Sequence, residues 1–146
     1  MPEIEIGPST RLAKISNLLS TFHSNDISYC HWKSNEHLDA SMSGDTDLDI
    51  LFKEDQKEKI ESILNEFDFK LFHAIKQKQY KDIVDYIGID LPSGKIIHIH
   101  THYRLTMGEP YLKGYQFDFE DKILETRIFN EEFGIFTEQG VLSLFT

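Results

Sequence analysis

The sequence predicts an α+β domain in which helices lie on one side of a small mixed β-sheet, and three observations predict it. Residues 53–67 carry Ile60, Ile63, Leu64 and Phe67 at the spacing of one helical face, with charged side chains elsewhere. Residues 82–90 and 95–105 are strand-like runs separated by Leu91-Pro-Ser-Gly94, a turn sequence able to fold the second run back on the first. Asp47-Leu48-Asp49 heads the apolar run Ile50-Leu51-Phe52, and on an extended strand the two carboxylates project from the same face.

Taken in order, Ser9-Thr10 has capping chemistry ahead of a helix over residues 11–23, whose Leu12, Ile15, Leu18, Leu19 and Phe22 share one face. Asn25-Asp26 ends it. Residues 27–32 read as a first strand, with His31 and Trp32 as packing residues, and deliver Lys33-Ser34-Asn35 to its end. A short helical or irregular piece over 36–42 returns the chain to Gly44 and the acidic strand. After the 53–67 helix come a short strand over 70–74 and a polar connection over 76–81. Residues 106–110 read as loop, 111–119 as aromatic and irregular, and 123–146 as strand or turn fragments followed by a helix start at Thr137-Glu-Gln-Gly. That last pattern stops partway, so a C-terminal helical part of a longer chain is expected beyond it. The whole of 1–146 is read as one domain, with its core over about 10–105.

Composition narrows the function classes. Fifteen Lys plus Arg stand against twenty-five Asp plus Glu, a net charge of −10, which argues against binding duplex nucleic acid through its phosphates. A small anionic ligand held through a cation stays open, because the cation supplies the missing positive charge. The one cysteine, Cys30, leaves no intramolecular disulfide and suits a reducing compartment. No apolar run reaches the length of a membrane span, and the start Met1-Pro-Glu-Ile-Glu lacks a signal-like pattern, so a cytoplasmic location is expected.

Two polar constellations carry chemistry. Asp47 and Asp49 offer the carboxylate oxygens that Mg²⁺ prefers, with substrate phosphate oxygens and water completing the shell. Asp45 reads as a turn or capping residue. In the run 95–105, His98, His100, His102 and Arg104 share one strand face, while Ile97, Ile99, Thr101 and Tyr103 share the other. Three histidines on one strand face can hold a metal by themselves. Residues 94–102 partly fit the first cupin motif, but the glutamate that should follow the second histidine is lacking, since Glu109 lies too far along. His23, His37 and His73 read as surface or interface residues.

Together these motifs resemble the nucleotidyltransferase superfamily of the DNA polymerase β type. Trp32-Lys33-Ser34 stands where that pattern ends its first strand, twelve residues (35–46) intervene, and Asp45-Thr-Asp-Leu-Asp-Ile-Leu51 is similar to its acid-x-acid strand. His100-Thr-His-Tyr-Arg-Leu105 is similar to the Asp-Leu-His-Trp-Arg-Leu strand of a bacterial branch of the superfamily. The resemblance covers about residues 10–105 and implies nucleotidyl transfer from a nucleoside triphosphate to an unidentified acceptor. It implies Mg²⁺ or Mn²⁺ on Asp47 and Asp49, with His100 as third metal ligand or as base, and Lys33 and Ser34 on the triphosphate; the histidine strand itself offers His98 and His102 as further ligands and Arg104 as a partner for a phosphate or for one of the acids. It also carries a departure: His100 stands where the pattern has its third acid. Two other readings therefore stay open, a non-catalytic nucleotide-binding descendant of the same fold and a histidine-centred metal protein of cupin or hydrolase type.

Overall fold

The computed structural model describes residues 11–32, 37–72, 83–104 and 120–139. Helix α1 (Ala13–Ser24) buries Ile15, Leu18, Leu19 and Phe22, the face the spacing predicts. Leu12 stands at its N-cap, its N–H donating to the Met42 carbonyl at 2.9 Å; the predicted cap Ser9-Thr10 lies outside the described residues. Asp26, with φ at 55°, takes the left-handed turn that leaves the helix. Strand β1 (Tyr29–His31) follows, then the short helix α2 (Leu38–Met42) and the acidic strand β2 (Leu48–Phe52). The predicted 53–67 helix divides into a 3₁₀ turn (Glu54–Gln56) and helix α3 (Lys57–Glu66). The Gln56 amide joins them to the start of β1, accepting from Ser28 N–H at 2.8 Å and donating to the Asp26 carbonyl at 3.0 Å.

Strand β3 (Lys70–Phe72) precedes the hairpin of β4 (Ile83–Asp90) and β5 (Lys95–His102). The turn between them is the predicted one, closed by a 2.7 Å bond from Gly94 N–H to the Asp90 carbonyl, with Gly94 at φ 75°. The expected 76–81 connection lies outside the described residues. Helix α4 (Glu120–Glu125) and a second hairpin, β6 (Ile128–Asn130) and β7 (Ile135–Thr137), complete the described chain.

The seven strands form one mixed sheet in the order β3-β4-β5-β2-β1-β7-β6. Its parallel pairs are β2 with β5 and β1 with β7; the rest are antiparallel. The α+β class is therefore as predicted, with two corrections. Thr137, read as a helix start, ends β7, pairing with Ile128 and, through the parallel rung, with His31. Helices also cover both faces rather than one. Leu48, Ile50 and Phe52 of β2 join Ile97, Ile99 and Tyr103 under α1 and α3, whereas Leu51, Cys30 and Trp32 point the other way and pack on Ile123 and Leu124 of α4. Period two in the strands makes both groupings necessary: successive side chains must take opposite faces.

Candidate metal centre

The register of the parallel pair decides what meets the two aspartates. Leu48 pairs with Ile99, Asp49 with His100, and Leu51 with His102. Because paired residues share a face, the acidic strand and the histidine strand present their polar side chains side by side. Asp47, one residue before β2, falls in line with His98, and its carboxylate lies 3.2 Å from His98 Nδ1. His102 Nε2 is 3.7 Å from the Asp49 carboxylate. The imidazoles of His100 and His102 stack with centroids 4.7 Å apart, and Trp32 meets the His102 ring edge-on at 4.8 Å.

Two sets of donors come close enough to share an ion: Asp47, His98 and His100, and Asp49, His100 and His102, each with its ligand atoms within 4.8 Å of one another. Both sets include His100. The site grades from open to closed, with Asp47 exposed, Asp49, His98 and His100 half-buried and His102 buried. Carboxylate with imidazole is a donor set for Zn²⁺ or Mn²⁺ as well as a partial one for Mg²⁺, which prefers oxygen throughout.

One member of the cluster is absent from the sequence-based reading. Asp85 of β4 sits across the antiparallel ladder from His100, so Asp85, His100 and Asp49 form one row over three strands. Its Oδ1 lies 3.1 Å from His98 Nε2 and 3.0 Å from His100 Nδ1, with the side chain only 15% exposed. The signal lies in the turn: once Asp90 is paired with Lys95 around Leu91-Pro-Ser-Gly94, stepping back along both strands brings Asp85 opposite His100.

The other candidates separate from this cluster. Arg104 continues the histidine face, but its guanidinium Nε pairs with Glu54 at 3.5 Å. It lines a cavity of about 590 Å³ beyond the C-terminal ends of β2 and β5, with Lys53, Glu54, Tyr103 and Asp121, beside the histidines rather than over them. Lys33 and Ser34 lie outside the described residues, as does His73. His23 is a half-buried neighbour of Tyr29, its Nε2 2.8 Å from the phenol oxygen; burial pushes its pKa down. His31 is fully buried, as its reading as a packing residue requires, and Trp32 is buried with it.

Asp45 serves the turn. Gly44 takes φ 82°, Ser43 Oγ donates to the Asp45 carboxylate at 3.2 Å, and Lys95 Nζ bonds the same carboxylate at 2.9 Å and the Ser43 carbonyl at 3.0 Å. The Lys95 bond and charge, with the Ser43 hydroxyl, hold the Asp45 carboxyl below its usual range. Cys30 is buried among Trp32, Leu51 and α4, and desolvation, helped by the Glu138 charge, pushes its thiol up to about 12. It is a packing group and not a nucleophile.

Among the described residues no helix is long and apolar enough to cross a membrane. Comparison with protein-family models, with curated proteins and with solved structures gives no match for this chain.

Proposed function

We propose that this domain binds a divalent cation, Mg²⁺ or Mn²⁺, through Asp47, Asp49 and His100 and holds a nucleoside triphosphate there for nucleotidyl transfer to an acceptor hydroxyl. The observation that carries the reading is the Asp49–His100 rung of the parallel pair, which sets the acid-x-acid strand beside the histidine strand, so that Asp47 and Asp49 fall in two separate donor sets that share His100. A cation bound there supplies charge neutralisation at the phosphates and alignment of the attacking and leaving oxygens.

The chain's own residues divide the remaining work. Asp47, at the exposed rim, faces incoming phosphate, and Asp49 holds the inner position. In the transfer, the acceptor oxygen bonds to the α-phosphorus and the bond to the pyrophosphate oxygen breaks, with that oxygen keeping the electron pair. The acceptor's proton passes to solvent at the exposed rim beside Asp47, because His100 has a single lone pair and the cation takes it. Arg104 contacts phosphate by exchanging Glu54 for it, and Lys33 and Ser34 contribute a point charge and a hydroxyl.

A second reading, metal-dependent nucleotide binding without turnover, is favoured by one observation: β5 offers an imidazole at position 100 in place of a carboxylate. Calorimetric titration of ATP, GTP, CTP and UTP with Mg²⁺ or Mn²⁺ tests both. Binding that needs metal and disappears in Asp47→Ala/Asp49→Ala is expected. Binding without pyrophosphate release across a panel of acceptors would favour the second reading, and no binding with either metal would overturn both.

A further inference from the structure

We infer that Asp85 is a positioning residue of this centre, fixing the His98 and His100 imidazoles so that the site takes a borderline cation such as Zn²⁺, Co²⁺ or Mn²⁺ more tightly than Mg²⁺. The inference rests on the metal-binding part of the reading above and not on its transfer chemistry. A carboxylate only accepts hydrogen bonds, so the 3.1 Å bond at Asp85 Oδ1 requires His98 to donate its Nε2–H, and the 3.0 Å approach of His100 Nδ1 to the same oxygen favours a proton on that nitrogen as well. Each neutral imidazole has one donor and one lone pair. His98 is thereby left with its lone pair at Nδ1, and His100 with its lone pair at Nε2.

His98 Nδ1 then faces the Asp47 carboxylate at 3.2 Å. Two lone pairs at that separation repel unless a proton or a cation lies between them. Ligand atoms about 2.1 Å from a Zn²⁺-sized ion stand about 3.0 Å apart at a right angle and about 3.4 Å at the tetrahedral angle. The observed spacing falls between the two, so a cation replaces the proton with little movement of either side chain.

Asp85 belongs to neither donor set, and this is consistent with its place behind the rings. Histidines that bind metal characteristically donate their second N–H to a carboxylate, which fixes the tautomer and raises the basicity of the ligating nitrogen. Here one carboxylate, on a third strand, does so for His98 and stands 3.0 Å from the second ring, His100. Imidazole nitrogen adds affinity for borderline ions and little for Mg²⁺, which demands oxygen and keeps its waters.

The test is titration of metal-stripped protein with Zn²⁺, Co²⁺ and Mg²⁺, without nucleotide, on the wild type, Asp85→Asn and Asp85→Ala. The Asp85→Asn change keeps an acceptor oxygen and loses the charge, so the expected order of Zn²⁺ and Co²⁺ affinity is wild type, then Asp85→Asn, then Asp85→Ala. Removal of such an outer carboxylate costs about 10–100-fold. Mg²⁺ affinity should change far less, so the Zn²⁺-to-Mg²⁺ ratio falls, a change that a general loss of structure would not produce. In the Zn²⁺-loaded wild type, ¹⁵N spectra of the imidazoles should show metal at His98 Nδ1 and His100 Nε2 with protons on the other nitrogens. An unchanged ratio in the folded Asp85→Asn protein, wild-type Mg²⁺ binding as tight as Zn²⁺ binding, or the reverse tautomers would overturn the inference. If Asp85→Ala fails to fold, Asp85→Asn and the spectra still decide it. Zn²⁺ binding that follows Asp85, in a protein that binds no nucleoside triphosphate, would uphold this inference and overturn the transfer reading alone.

Discussion

The two faces of the central strands are built from alternate residues of the same segments and are held by opposite means. On one face Leu48, Ile50, Phe52, Ile97 and Ile99 meet α1 and α3, and every one of them is essentially removed from water. On the other, Asp49, Asp85, His98 and His100, with Asp47 at the rim, crowd ionisable groups into positions that apolar side chains could fill. Fully burying a Leu, Ile or Phe side chain contributes about 1.5–3 kcal/mol, whereas clustered carboxylates and imidazoles add little net stability and cost desolvation. The first face thus supplies most of the burial that folds the sheet, Leu51, Cys30 and Trp32 add a smaller apolar patch under α4 on the second, and the ionisable rows are tolerated because of both. Ionisable clusters of this kind occur where a ligand or reaction needs them more often than where folding does.

The sharpest way to break that contrast is to truncate a side chain on each face. Phe52 is fully buried and touches the Phe22 ring edge-on at 5.4 Å. Phe52→Ala should lower unfolding free energy by about 3–5 kcal/mol, read from urea denaturation. The same measurement on Asp47→Ala/Asp49→Ala should move by no more than about 1 kcal/mol in either direction. A comparable loss in the double variant would mean that the polar face is structural, and the contrast would fail.

How much of this is legible in the sequence depends on whether the signal is local. The apolar stripes of α1 and α3, the Leu91–Gly94 turn and the segregation of His98, His100 and His102 from Ile97 and Ile99 all follow from spacing along one segment. All of them appear in the structure. The meeting of Asp49 with His100 can be expected only through a resemblance, because parallel strands from distant segments carry no mark of their register. Asp85 is readable in principle and escapes notice, since its partner is fixed by the turn but its own surroundings, Ile83-Val84 and Tyr86-Ile87, read as an ordinary strand. Helix α4 escapes because six residues give too little periodicity, and its burial of Ile123 and Leu124 against Leu51 is a tertiary matter.

A smaller effect sharpens the comparison at the turn that launches the polar face. Gly44 has φ 82°, and a Cβ placed there would stand 2.8 Å from Leu12 Cδ1. Gly44→Ala should cost about 1–2 kcal/mol from the left-handed backbone alone, measured by the same urea transitions. The Leu12 methyl terminus can rotate aside, so the backbone dominates. Metal affinity should fall with it if this turn sets the position of Asp47. Full stability loss with unchanged metal affinity would show that β2, and not the turn, positions the carboxylates.

The smallest effect is expected at the Lys95–Asp45 pair, which joins the start of β5 to the same turn. Both side chains are largely exposed, so the pair contributes little and salt screens it. Its signature lies in the direction of a pH dependence. Lys95 lowers the folded-state pKa of Asp45 from its ordinary 3.8, so the unfolded chain binds the proton more readily. The contribution is therefore present above pH 3.8 and is lost as pH falls through the lower folded value. Lys95→Met should leave the apolar face intact and flatten the acid limb of a plot of urea midpoint against pH, with the two proteins converging at the lowest pH and in high salt. Curves that stay parallel through the acid range would instead assign the Lys95 contribution to its bond with the Ser43 carbonyl, which does not titrate.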